Sequence, residues 1–157
     1  MGLRIREILI AIPNNRTKFS LHFRFLQALQ GEHSFPLPDM ILKVENIVYN
    51  ELLIRGYNVD VGIVEVYAKN DEGKTTRKQF EVDFVVNQGS QRYYIQVAYD
   101  MTSEEKQKQE FNSFRNIPDS FKKIVVVNGT KKPWRNEEGF VIMGMKYFLL
   151  NADSLEL

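Results

Sequence analysis

The chain has 157 residues, 43% hydrophobic and 26% charged, with a net charge of +1. This is enough apolar material for one domain with a sizeable core. The near-neutral balance excludes a bulk electrostatic footprint for nucleic acid or membrane, so any such surface must come from local clustering, and the absence of cysteine excludes disulfides, thiolate zinc sites and a cysteine nucleophile.

Residues 1–37 read as an N-terminal extension. Leu3, Ile5, Ile8, Leu9 and Ile12 fit a helical stripe, and a helix is the expectation, although Ile8 to Ile12 also suits a short strand. Arg4, Arg6 and Glu7 interrupt this stretch; it is a poor secretion signal and too short to span a bilayer, so a soluble, cytoplasmic protein without membrane attachment is expected. After Pro13-Asn14-Asn15, Phe19, Leu21, Phe23 and Phe25 alternate like a strand before drifting into helical spacing. His22 and His33 have no ligand partner at metal-site spacing and read as surface or packing residues.

The domain proper is expected over residues 38–157. Asp39 is a plausible N-cap for a helix from about Met40 to Arg55, closed by Gly56 as a C′ glycine. Ile41, Val48 and Leu52 lie within roughly 60° of Glu45 on a helical wheel, which sets this carboxylate inside the apolar stripe. Either it bonds nearby backbone or a lysine at the core edge, or it belongs to a metal site. Tyr57 to Ala68 reads as a strand with a bend near Ile63. Gly73-Lys74-Thr75 is similar to the end of a phosphate-binding loop, but Ala68 stands in place of the first glycine and the flanks are strand and strand, which argues against one.

Gln79 to Asp100 is the centre of the chain. Phe80, Val82, Phe84 and Val86 alternate with Glu81, Asp83 and Val85, and alternation resumes with Tyr93, Ile95, Val97 and Tyr99, the period of a β-hairpin. With Gln88-Gly89 as the turn, Asp83 falls opposite Tyr94 and Glu81 opposite Gln96. Glu81, Asp83 and Gln96 then share one face, and oxygen ligands on rigid strands are what a hard divalent cation requires.

Thr102-Ser103-Glu104-Glu105 supplies a capping-box signature for a polar helix to Asn116, anchored by Phe111 and Phe114. Lys123 to Asn128 is a buried strand, so strand, helix and strand should form a right-handed parallel crossover. Lys131, Lys132, Trp134 and Arg135 join Lys122 and Lys123 as candidate phosphate contacts, with Trp134 able to stack on an unpaired base; solvated surface is the commoner fate of such charges. Phe140 to Met143 reads as a last edge strand and Met145 to Leu150 as a short helix.

The order of helix with an inward Glu, strand, strand with Asp, strand with Gln-x-Ala, helix and strand resembles the restriction-endonuclease-like fold of the PD-(D/E)XK superfamily: an α/β class with a mixed β-sheet flanked by helices. More closely, V-E-N-I-V-Y-N-E-L-L-I-R-G-Y-N-V at 44 to 59, E-V-D-F-V-V at 81 to 86, Y-Y-I-Q-V-A-Y at 93 to 99 and the pair Glu110-Phe111 resemble the C-terminal domain of a large group of prokaryotic AAA-type ATPases, over about residues 41 to 150. The G-L-R start at Gly2 is similar to a stretch just upstream of that domain, so the chain is expected to be a fragment or a standalone relative lacking the ATPase module.

The resemblance implies roles by position. Glu45 matches the helix carboxylate, Asp83 the metal aspartate, and Gln96 the second strand carboxylate, while Ala98 stands where the motif has lysine. That lysine positions the attacking water and offsets transition-state charge, and each 1.4 kcal/mol of lost stabilisation is about a factor of ten in rate. A non-catalytic, degenerate nuclease-fold domain is therefore expected, binding nucleic acid or a protein partner such as an ATPase. The alternatives are an active nuclease using Lys78 or Lys106 in place of the missing lysine, and a structural docking domain or homodimer. Either no cofactor or loosely held Mg²⁺ or Mn²⁺ is expected, with Glu45, Asp83 and Glu81 as ligands. For a protein partner, Tyr147 and Phe148 mark the expected apolar patch.

Overall fold

The structure, a computed structural model, describes residues 4–11, 37–69 and 73–157. A seven-stranded mixed sheet in the order β1-β2-β3-β4-β5-β7-β6 carries helices on both faces, an α/β architecture. Strands β1 (Arg4–Ala11), β2 (Asn58–Lys69), β3 (Thr75–Gln88) and β4 (Gln91–Ala98) are successively antiparallel. β5 (Lys122–Val127) and β7 (Val141–Gly144) continue in parallel, and the two-residue β6 (Trp134–Arg135) closes the far edge antiparallel to β7. Helices α1 (Leu37–Ile54) and α3 (Met145–Leu150) cover one face and α2 (Glu104–Arg115) the other.

The two cores follow from strand alternation. Phe84, Val86, Tyr93, Ile95, Ile124 and Val126 meet Val48 and Leu52 of α1 and Phe148 of α3. Val85, Tyr94, Val125 and Ile142 meet Phe111 and Phe114 of α2. β5 is apolar on both parities because it is buried on both faces, as a parallel crossover strand should be.

Several local expectations are corrected. Residues 4–11 form a strand, not a helix: they pair along β2 from Arg4↔Tyr67 to Ala11↔Val61, and a long β2 with open backbone groups is a template that outweighs helix-like apolar spacing. α1 starts at Leu37, so Asp39 lies within its first turn rather than at the cap. Its C-terminus is as read: Gly56 has φ 82°, with Tyr57 N donating to Leu52 O (3.1 Å) and Gly56 N to Leu53 O (3.0 Å), a Schellman arrangement. Ser103 caps α2, accepting from Lys106 N at 3.3 Å. A lysine at that third helical position cannot complete the expected capping box. β7 is interior, with all four residues buried. The readings of residues 12–36, including His22 and His33, lie outside the described residues. Among the described residues no helix is long and apolar enough to cross a membrane.

The hairpin register also differs. Gln88 pairs with Gln91 and Phe84 with Ile95, so the turn is Gly89-Ser90, one position later than expected, and every pairing shifts by two. A shift of two keeps each side chain on its face. A bulge in β3 does not: β2 pairs Asp60↔Val85 and then Gly62↔Val82, so Val61 opposes both Asp83 and Phe84. Val82 and Phe84, of one parity in sequence, thereby pack on opposite faces. The irregularity expected near Ile63 exists, but the extra residue belongs to β3.

The connection from β5 to β7 depends on one close approach. A Cβ at Gly144 would lie 2.5 Å from Lys131 N, 2.8 Å from Lys131 O and 2.9 Å from Gly129 O, and the two oxygens hold the 129–131 loop through Gly144 N→Lys131 O (2.9 Å) and Lys146 N→Gly129 O (3.0 Å). Gly144→Ala should cost about 1–3 kcal/mol, the usual range for overpacking. It will read as a lowered denaturant midpoint at unchanged m-value.

Candidate functional site

β3 pairs with β4 only from Gln88 down to Phe84, while its pairing with β2 continues to Thr75. The sheet forks at Asp83. Backbone donors released by the fork need partners, and side chains supply them: Val97 N donates to Asp83 Oδ2 (2.7 Å) and Asp83 N donates to Gln96 Oε1 (3.3 Å). The expected cluster of oxygen ligands is thus set at the crotch of a fork in the interior of the sheet.

On the α1 side, Glu45, Glu81 and Asp83 line one cavity of about 140 Å³ with Asn46, Tyr49 and Phe84, and Tyr49 stacks on Phe84 at 5.9 Å. Glu45 is on the inward stripe as its phase requires, between the buried Val48 and Leu52 and the solvent boundary. Burial pushes its pKa up to about 7, with the charges of Glu81 and Glu110 adding to the rise. Asp83 is held well above the usual carboxylate range, chiefly by burial and then by Glu45, Glu110 and Glu81, against the lowering effect of the Val97 N–H.

On the α2 side, Gln96 accepts from Asp83 N and lies near enough to Glu110 to affect its carboxylate. Burial raises the Glu110 pKa, and the Gln96 amide offsets part of that rise. Ala98 is buried in the core of the same face with Met101 and Phe111. The expectation that Glu81 shares a face with Gln96 is corrected by the bulge: Glu81 lies in the α1-side cavity, and Asp83 at the fork links the two sides. Glu110, to which no role was assigned, completes the cluster. Its only sequence signal is its place beside Phe111, on the edge of the inward stripe of α2.

Two of the expected oxygen ligands already accept hydrogen bonds. Asp83 Oδ2 and Gln96 Oε1 are each occupied by a backbone N–H. Among the described residues no group of three or more Asp, Glu or His side chains is disposed to hold a metal ion. Neither substitute for the missing lysine reaches in: Lys106 Nζ pairs with Asp100 at 2.7 Å, and Lys78 is exposed on the part of β3 that pairs with Val66 of β2.

The six expected phosphate contacts do not form one surface. Lys122, Lys123 and Arg135 line a cavity at the N-terminal ends of β4 and β5, away from the fork, which lies toward their C-terminal ends. Lys131 Nζ sits 5.7 Å from the Trp134 ring centroid, and both line a second cavity against α2 whose walls include Glu104, Glu137 and Glu138. Lys132 is exposed. Of the expected apolar patch, Phe148 is fully buried and Tyr147 half-buried; the exposed apolar residues nearby are Leu149, Leu150, Leu53 and Ile54.

Residues 43–148 match a family described as "Domain of unknown function (DUF4143)". The chain is also 32% identical, over 84 residues, to an uncharacterized protein of Haemophilus influenzae. That stretch is 54% of this chain but 17% of the relative, so the chain spans only a small part of that protein's length. No solved structure matches the chain significantly.

Proposed function

Since the chain belongs to the DUF4143 family, whose description assigns no activity, we propose that it is a degenerate restriction-endonuclease-like domain that does not cleave nucleic acid but binds it, related to the C-terminal domains of AAA-type ATPases. The carrying observation is Gln96. Its amide oxygen accepts from the Asp83 backbone and its side chain lowers the pKa of Glu110 in the same fork, surroundings that suit a neutral residue and work against a carboxylate. A glutamate there would face Glu110 and Asp83 and lose the donor, and like charges at such range disfavour ionisation. Ala98 beside it is packed among apolar side chains, where an ammonium would be desolvated without a partner.

The test is incubation of the purified protein with single- and double-stranded DNA and RNA in Mg²⁺ or Mn²⁺. No cutting above background is expected, and Gln96→Glu should add none while lowering stability by about 1–3 kcal/mol, the cost of an uncompensated buried polar group. Metal-dependent cutting abolished by Asp83→Ala would overturn the proposal. A second reading, docking on a protein, draws on the exposed Leu53, Ile54 and Leu150 at the C-terminal ends of α1 and α3. It predicts binding insensitive to salt.

A further inference from the structure

The parallel pairing of β4, β5 and β7 brings together side chains that are far apart in sequence. Tyr93 pairs with Lys122, and Ile124 with Val141, which pairs in turn with Arg135. At these strand ends lies a cavity of about 520 Å³ lined by Arg92, Lys122, Lys123 and Arg135, with Ser120 and Phe121 in its wall. Four cations face one lining carboxylate, Glu138, and that carboxylate is already engaged by Arg115 through two hydrogen bonds of 2.7 Å.

The hydrogen bonds that hold the cations go mostly to main-chain and amide oxygens, with Asp119 and Glu156 as the nearby acids. Lys122 Nζ donates to Leu155 O (2.7 Å), Lys123 Nζ to Asp119 O (2.7 Å), Arg92 Nε to Asn87 Oδ1 (2.8 Å) and Arg135 to the main-chain oxygens of Leu157 and Gly139. These bonds fix each head group and leave further N–H donors on every one. Of the nearby acids, Asp119 is 3.9 Å from Lys123 and takes the Tyr94 hydroxyl, and Glu156 takes the Tyr93 hydroxyl. Burial lowers the pKa of Lys122 and Lys123; Glu156 offsets part of that fall at Lys122 and Asp119 at Lys123, while Arg135 adds to it at Lys122. Phe121 is 41% exposed, with the Arg92 guanidinium 5.8 Å from its ring centroid: an aromatic face beside a cationic floor.

We propose that this strand-end cavity is a nucleotide-phosphate site, in which Arg92, Lys122, Lys123 and Arg135 take the phosphate and Phe121 stacks the base. The inference deepens the nucleic-acid reading and rests on it for the polymer. The shared chemistry is a phosphate ester attached to an unpaired base, from a single strand or a free nucleotide. Phosphate is matched by forked guanidinium donors, and base stacking on an exposed ring is tolerant of sequence. The neighbouring Lys131-Trp134 pair is less suited, because acidic residues share its cavity.

The experiment measures anisotropy of a labelled oligothymidylate with the full chain at several salt concentrations, and calorimetry with thymidine monophosphate and with pyrophosphate. Arg92→Gln with Arg135→Gln should weaken the oligonucleotide about tenfold or more and reduce the salt slope by about 1.4, at about 0.7 per phosphate contact on single strands. Phe121→Ala, at an exposed side chain, should weaken the oligonucleotide while leaving pyrophosphate binding unchanged, and Trp134→Ala should alter neither. Oligonucleotide binding with unchanged affinity and slope in the double variant and in Phe121→Ala overturns the cavity and leaves the nucleic-acid reading standing. Binding of thymidine monophosphate and pyrophosphate without the oligonucleotide supports the cavity as a mononucleotide site and removes the nucleic-acid reading. Binding of none of the three overturns both.

Discussion

Replacing Arg55 by alanine should lower the melting temperature by about 10 °C, taking about 3–5 kcal/mol for breaking a buried charge network and about 2–4 °C per kcal/mol for a chain of this size. The guanidinium is the tie between the C-terminal end of α1 and the end of the chain. Its Nε bonds Glu51 Oε1 at 2.8 Å, one terminal nitrogen bonds Ser154 Oγ at 2.8 Å and Ala152 O at 3.1 Å, the other bonds Phe148 O, and its plane lies 4.5 Å from the Phe148 ring centroid. Only 8% of the side chain is exposed. Alanine would take this donor from two carbonyls, a hydroxyl and a carboxylate, and buried polar groups without partners cost more than the bonds themselves contribute. Arg55→Lys should recover less than half of the loss, because one ammonium cannot reach a fork of acceptors on two segments. Thermal melts of the two variants beside Glu51→Ala, which removes only the more exposed of the two side-chain partners, check the order. α1 also carries Glu45 over the fork, so loosening its C-terminal anchor should bring the Glu45 pKa down toward an ordinary glutamate as its burial is relaxed.

Much of this was legible in the sequence because it is locally encoded. The end of α1 is written in Gly56, α2 in Phe111 and Phe114 spaced among polar residues, β5 in an unbroken apolar run, and the parallel crossover in the order of those elements. What was not legible depends on pairings between distant segments. β1 is a strand only because β2 offers it an edge. The β3 bulge hides inside an unbroken alternation from Phe80 to Val86, and its one trace is Val85, an apolar residue on the otherwise polar parity that proves to be fully buried. From that bulge follow the separation of Glu81 from Gln96 and the fork itself. Arg92 gave no signal as a partner of Lys122 and Arg135 because they meet only across four paired strands. Helix phase was reliable for Glu45, since the wheel is set by the backbone of one element.

Stability should fall as pH rises from about 4.5 to about 7, and Glu45→Gln should remove much of that fall. Glu45 has its folded pKa raised from 4.5 to about 7. Between these values the native state holds a proton that the unfolded chain releases, so this contribution is fully present below the unfolded pKa and lost as pH passes the folded one. Asp83 and Glu110 are shifted in the same direction by burial, so their losses add to it. For Glu45 the effect is about 2 kcal/mol after discounting for partial exposure, or about 4–8 °C in melting temperature. Glu65 shows that burial alone does not dictate the sign: the Tyr67 hydroxyl (2.7 Å), the Gln79 amide (3.0 Å) and Arg77 lower its pKa. Its contribution is present above the ordinary glutamate pKa and lost in acid, so it opposes the fork acids only at the low end of the range. Among the described residues no cation acts on the fork carboxylates in this way: Lys106 is paired with Asp100, and position 98 is an alanine. Melting temperatures of the wild type, Glu45→Gln and Glu65→Gln at pH 5, 6, 7 and 8 separate the two sites. Glu45→Gln should gain stability over the wild type at pH 8 and little at pH 5, whereas Glu65→Gln should lose stability most at pH 8. A wild-type profile that is flat or rising from pH 5 to 8, with Glu45→Gln parallel to it, would show that the fork carboxylates carry their charges without strain.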